Sequence, residues 1–168
     1  NQGFEDHRVF SNYGDILKNL GKLKEAELSL RKAIELNPDY ANAYSNLGNI
    51  LRYLGNLQEA ELYTRKAIKL NPDFAEAHSN LGNVLRELGN FNEAINHYKK
   101  AIKLNNELSI AKSGLIESKG MICDWSDQEI QSICIEKLGI EGSWVNPLGL
   151  FYYEDNPLKQ LQRAKKLY

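Results

Sequence analysis

Residues 41–74, ANAYSNLGNILRYLGNLQEAELYTRKAIKLNPDF, run directly into residues 75–108, AEAHSNLGNVLRELGNFNEAINHYKKAIKLNNEL, and laying one segment over the other decides the fold. The same offset of 34 residues relates Gly14, Gly48 and Gly82, then Gly21, Gly55 and Gly89, then Ala26, Ala60 and Ala94, then Ala33, Ala67 and Ala101. Such a period marks an array of small units, each able to bury its apolar face only against its neighbours. Each unit reads as two helices, near 7–20 and 22–36, 41–54 and 57–70, and 75–88 and 91–104. In the middle unit Tyr44, Leu47, Gly48 and Leu51 share one face of the first helix, and Ala67 and Ile68 answer them from the second. Gly48 and Ala60 carry so little side chain that the two helices can cross closely.

Asn37-Pro38-Asp39 and Asn71-Pro72-Asp73 close the first two units. Proline has no N–H to continue a helix and drives the residue before it towards an extended conformation, so each is a stop and a turn. The third junction is Asn105-Asn106-Glu107, where a less sharply specified turn is expected. After Leu108 the period decays, while Ile110, Leu115, Ile116, Ile130, Ile133, Cys134 and Leu138 keep helical spacing. The expected organisation is three units (7–40, 41–74 and 75–108), a degenerate fourth helix pair over 109–142 that covers the last core surface, and a linker with a terminal helix over 143–168. Ser126 and Glu129 form a capping box for the second helix of that fourth pair, and Gly139 stops it.

Composition narrows the function. With 21 basic and 22 acidic residues among 168, the net charge of -1 offers no field for a phosphate backbone or an anionic membrane, so neither nucleic acid nor membrane is an expected partner. Two cysteines, Cys123 and Cys134, are too few for a disulfide framework, and with His7, His78 and His97 they match no zinc spacing. No metal or other cofactor is expected, and a reducing, cytoplasmic setting fits. The first residue is Asn1 and not an initiator Met, which leaves open a leader ahead of it. Cys123 reads as a small buried hydrophobe, and Trp125, Trp144, Phe151, Tyr152 and Tyr153 as anchors for the irregular C-terminal segment.

At about 100° of rotation per residue, Asn42, Ser45, Asn46, Asn49, Arg52 and Tyr53 fall opposite Leu47 and Leu51. Their counterparts are Arg8, Ser11, Asn12, Asp15, Lys18 and Asn19 before, and Glu76, Ser79, Asn80, Asn83, Arg86 and Glu87 after. In a curved stack the first helices line the inner wall, so these side chains are expected to form its floor. Asn is a poor mid-helix residue, yet Asn12, Asn46 and Asn80 stand one repeat apart in the middle of their helices. An amide offers a donor and an acceptor, as an extended peptide backbone requires. The expected peptide-binding set is Asn12, Asn46 and Asn80 for the backbone, with Asn49, Arg52, Tyr53, Asn83 and Arg86 for selectivity. Replacing the three asparagines by Ala is expected to leave the fold intact or slightly firmer. A polar wall copied by duplication and simply wet is the competing reading.

Tyr44, Leu47, Gly48, Ala60, Ala67 and Pro72, with their counterparts, identify residues 7–108 as resembling the tetratricopeptide repeat (TPR) family, which implies a right-handed all-α superhelix that binds proteins or peptides. Within that family, the lysines or arginines of a clamp for terminal carboxylates have no match at Ser11, Ser45, Ser79 and Glu76. The string Tyr44-Ser45-Asn46-Leu47-Gly48-Asn49, with Met121-Ile122-Cys123-Asp124-Trp125, Pro147 and Asp155-Asn156-Pro157-Leu158-Lys159-Gln160, resembles O-linked N-acetylglucosamine transferase-like (Spindly-like) proteins. That resemblance implies an asparagine ladder holding substrate peptide, borne here by Asn12, Asn46 and Asn80, and a parent that moves N-acetylglucosamine from its UDP ester to Ser or Thr. A self-associating scaffold is the other alternative. No glycine-rich phosphate loop or strand-rich block accompanies the repeats in these 168 residues. Incubated with labelled UDP-N-acetylglucosamine and acceptor peptides, they should therefore incorporate only background label; clear turnover would sink that expectation.

Overall fold

The computed structural model describes residues 6–122, in which seven helices and no strand are found. They are α1 (His7–Asn19), α2 (Leu23–Leu36), α3 (Ala41–Tyr53), α4 (Leu57–Leu70), α5 (Ala75–Glu87), α6 (Phe91–Leu104) and α7 (Ser109–Met121). Each helix packs on the next in the chain, and α1, α3, α5 and α7 also touch one another in succession. This makes an all-α solenoid whose odd helices line the tighter, inner side. α7 is the first helix expected of the fourth pair. Its partner, with the Ser126 cap, and the linker and terminal helix lie outside the described residues.

Two turns alternate along the stack. Inside each pair the odd helix ends on a glycine with positive φ, 75° at Gly21, 81° at Gly55 and 82° at Gly89, a conformation that a Cβ would strain. In the middle unit the Gly55 N–H donates to the Arg52 carbonyl at 3.0 Å and the Asn56 N–H to the Leu51 carbonyl at 2.9 Å, the pair of bonds that satisfies a helix C-terminus. Between pairs the stop residue is Asn37, Asn71 or Asn105, extended in all three places. Its side-chain oxygen accepts from the backbone N–H two residues on, at 3.1 Å from Asp39, 3.3 Å from Asp73 and 3.0 Å from Glu107. The third junction is thus as sharp as the others although it lacks proline. The asparagine carboxamide mimics a backbone turn, and proline only preorganises it.

Close crossing of each pair depends on Gly14, Gly48 and Gly82. A Cβ on Gly14 would lie 2.8 Å from Leu30 Cγ, one on Gly48 would collide with the Thr64 hydroxyl, and one on Gly82 would lie 2.6 Å from Tyr98 Cε1. Leu30, Thr64 and Tyr98 occupy one register position of the even helices and are fully buried. Apolar side chains close around them: Leu17, Leu30, Leu47, Ile50 and Leu51 in one cluster, Leu81, Leu85, Tyr98 and Leu115 in another. Outside, ion pairs strap the even helices together. Arg31 holds Glu27 at 2.9 Å and Glu59 at 2.7 Å, and one repeat on Arg65 holds Glu61 at 2.8 Å and Glu93 at 2.6 Å.

The units differ where two rings meet between odd and even helices. Tyr44 stacks on Tyr63 with centroids 6.0 Å apart, and at the equivalent places His78 stacks on His97 at 5.2 Å. The two Nδ1 atoms are 3.0 Å apart, and His78 Nε2 is 2.9 Å from the Pro72 carbonyl. These contacts are satisfied together when His78 donates to Pro72 and His97 donates to His78, with both rings neutral. Burial first, then the repulsion a protonated His78 would exert and the charge of Arg65, lower the His97 pKa from 6.5 to about 4, against the opposing pull of Glu93.

Gly82→Ala should destabilise by about 1–3 kcal/mol through overpacking, despite the better helix propensity of Ala. In a Tyr98→Ala background the same change should cost much less, as thermal unfolding of the double-mutant set would show. The unfolded chain binds a proton at His97 at higher pH than the folded one, so the stabilising contribution is complete above about pH 6.5 and fades as pH falls towards 4. The melting temperature should therefore drop between pH 7 and 5, and the double change His78→Tyr and His97→Tyr, which restores the Tyr44–Tyr63 arrangement, should flatten that dependence.

Candidate binding wall

The inner wall is built from the outward arcs of α1, α3 and α5. α3 and α5 are buried over more than half of their circumference, because each packs on its own partner, on the preceding pair and on the odd helices beside it, whereas α1 packs on α2 and α3 alone among the described helices. On α3, Ala43, Tyr44, Ser45, Leu47, Gly48, Ile50 and Leu51 are all buried. This corrects the expected floor: Ser11, Ser45 and Ser79 are buried and not wall residues. Ser45 turns towards the following unit, where its hydroxyl oxygen accepts from Asn80 Nδ2.

Asn46 and Asn80 lean the other way, onto the preceding unit. Asn46 Nδ2 donates to Asp15 Oδ2 at 2.9 Å, and Asn80 Nδ2 donates to Ser45 Oγ at 3.0 Å. Both are half-buried, and each keeps a second N–H and a carbonyl oxygen for another partner. Asn12 is exposed and has no hydrogen-bond partner among the described residues. Replacing Asn46 and Asn80 by Ala would thus remove two bonds between units, so the expectation of a slightly firmer fold does not hold for them.

The cations of the wall are already engaged. Arg52 Nη1 donates to Glu87 at 2.6 Å and Nη2 to Asn49 Oδ1 at 3.2 Å, while its guanidinium lies 4.2 Å from the ring centroid of the exposed Tyr53. Arg86 reaches Glu117 on α7 at 2.7 Å, and Lys18 reaches Asp15 at 3.4 Å. Asn83 Oδ1 accepts from the Tyr98 hydroxyl at 2.8 Å. Burial raises the pKa of that phenol, so it stays a donor. The Nε atoms of Arg52 and Arg86 are buried without a partner among the described residues. The wall is therefore polar and nearly neutral, with amides and one exposed aromatic ring set between paired charges.

Sequence reading grouped the eight expected residues, and the structure sets all of them on α1, α3 and α5. It missed Tyr98 and Glu117, which act from α6 and α7. Pairing each wall cation with the acids roughly one repeat further on would have found Glu117. Tyr98 had no such signal, since it reads as core. Among the described residues no cluster of three or more His, Cys, Asp or Glu could hold a metal ion, and no described helix is long and apolar enough to cross a membrane.

The tetratricopeptide repeat family matches residues 41–74 and 75–107, and a second TPR repeat description matches 14–55. No curated protein matches the chain. Among solved structures it is similar to an O-GlcNAc transferase variant from Thermobaculum terrenum, with a TM-score of 0.72 and 23% identity over 77% of this chain. The match spans only 25% of that transferase. The Arabidopsis OM64 TPR domain superposes with a TM-score of 0.66 and 22% identity, over 70% of this chain and 97% of that one. The first TPR of Spaghetti (RPAP3), bound to the HSP90 peptide SRMEEVD, superposes with a TM-score of 0.66 and 21% identity, over 72% and 99%. Repeat period, helix pairing and family match agree, and the chain belongs to the tetratricopeptide repeat family.

Proposed function

We propose that the inner wall binds an extended segment of another polypeptide, held through its backbone by Asn12, Asn46 and Asn80. The observation that carries this reading is the spare hydrogen-bonding capacity of the amides. After their bonds to the preceding unit, Asn46 and Asn80 each retain a donor and an acceptor in mid-wall, one repeat apart. Side-chain selectivity falls to Tyr53, Asn49, Arg52, Asn83 and Arg86. Because Arg52 and Arg86 already face Glu87 and Glu117, an acidic ligand would have to displace a carboxylate, and uncharged polar segments suit the wall better. The peptide-bound Spaghetti TPR has the same fold and lends support to peptide binding as a class.

The same residues are proposed to form the substrate-recruiting arm of a glycosyltransferase-like protein. The Tyr44–Asn49 string and the C-terminal segments named above support this, together with the fold shared with the Thermobaculum enzyme. Labelled-sugar incorporation by the longer polypeptide that contains these repeats would test it, and an inactive parent would refute it.

The wall is tested with a peptide selected from a random library on the wild-type protein and titrated calorimetrically. A typical hydrogen bond contributes about 0.5–1.5 kcal/mol net, so the triple change of Asn12, Asn46 and Asn80 to Ala should weaken binding roughly ten- to a thousandfold. Asn12→Ala alone, which breaks no contact within the described residues, should weaken binding with an unchanged melting curve. Unaltered affinity in a folded triple variant would mean that the amides serve only the stacking of units.

A further inference from the structure

The outer face of α1 carries the largest apolar exposure on any one described helix. Val9 is 58%, Tyr13 51%, Ile16 55% and Leu20 67% exposed, and their spacing of four, three and four residues sets them in one stripe along the whole helix. The same register positions recur three more times. They are Ala43, Leu47, Ile50 and Leu54 on and just after α3, Ala77, Leu81, Val84 and Leu88 on and just after α5, and Ala111, Leu115, Ser118 and Ile122 on and just after α7. There the first three of each set are at most 2% exposed and the fourth is half-buried.

In every one of those three cases the preceding helix pair does the covering. Ala43, Leu47 and Ile50 cluster with Ala26, Leu30 and Ala33; Ala77 clusters with Tyr44 and Ala67; Ala111 and Leu115 cluster with Ala94, Tyr98 and Ala101. The cover each time includes an even helix with alanines seven residues apart, at 26 and 33, 60 and 67, and 94 and 101, and a buried residue between them. The amides tell the same story independently. Asn46 and Asn80 each donate to the first helix of the preceding unit, whereas Asn12, at the same register, has no partner among the described residues.

We infer that the outer face of α1 is a docking face for one more helix pair of this repeat type, laid on α1 as α1 and α2 are laid on α3. The pair would close over Val9, Tyr13, Ile16 and Leu20 with an alanine-bearing second helix, and would offer the Asn12 amide an oxygen acceptor from its first. The inner wall would gain a further step in the same direction. This inference does not rest on peptide binding, since it follows from packing alone.

The test compares the chain as it stands with an extended one, in which a copy of residues 41–74 replaces residues 1–6 and runs straight into His7, the register in which Phe74 precedes Ala75. Amide exchange in α1 should slow by at least about tenfold and the melting temperature should rise. Ala60→Glu with Ala67→Glu in the added copy should cancel both gains. Ile16→Glu should scarcely change the melting of the unextended chain, where Ile16 is exposed, yet abolish the gain in the extended one. Unslowed α1 exchange, or equal slowing with the charged copy, would overturn the inference. So would sedimentation showing a dimer of the unextended chain that Ile16→Glu dissociates, because a second copy would then be the occupant.

Discussion

The contact on which the rest depends is the one between Gly14, Gly48 and Gly82 and the side chains of Leu30, Thr64 and Tyr98. Interiors pack at near-crystalline density, so a missing Cβ is a space that something must fill. Here the filler is the central residue of the even helix, and its size differs by unit while the glycine stays. In each pair that side chain, leucine, threonine or tyrosine, comes within 2.8 Å of where a Cβ would stand, so the close crossing requires glycine in all three units. Once that crossing is set, the alanines at 26, 33, 60, 67, 94 and 101 meet the next odd helix without bulk, and the stack propagates.

Tyr98 shows how one such filler reaches across the molecule. Its ring lies against both Gly82 and Gly114, and its hydroxyl emerges at Asn83 on the inner wall. Gly114 stands at the register of Asn12, Asn46 and Asn80. The asparagine series thus gives way to glycine where a buried ring needs the room. Core packing and wall chemistry are coupled there, and a change made to one is felt in the other.

Polar groups on the wall serve two ends. The bonds from Asn46 to Asp15 and from Asn80 to Ser45, and the pairs from Arg52 to Glu87 and from Arg86 to Glu117, each join neighbouring units. Exposed ion pairs contribute little individually, about 0–1 kcal/mol, but these are partly shielded and fix the positions of amides and guanidinium groups. A wall whose side chains are held in place loses less conformational freedom when it binds a chain, which favours affinity without new contacts.

Helix limits, the proline-marked turns between pairs and the pairing of helices were legible in the sequence, because they rest on a 3.6-residue apolar period, on proline at helix ends, and on a 34-residue recurrence that any single chain displays; the glycine turn inside each pair came only with the backbone geometry. The third junction was misjudged only because proline was given credit for a turn that Asn105 makes with its own side chain. The eight wall residues were legible as one polar arc. What each does there was not. Whether Asn46 is free or bonded, why Ser45 is buried, and that Arg86 faces Glu117 depend on groups 31 to 35 residues apart, which meet only when units stack. The stripe on α1 makes the same point. By sequence Val9, Tyr13, Ile16 and Leu20 are as apolar as their counterparts on α3, and only the arrangement of helices decides that one set is covered and the other open to solvent.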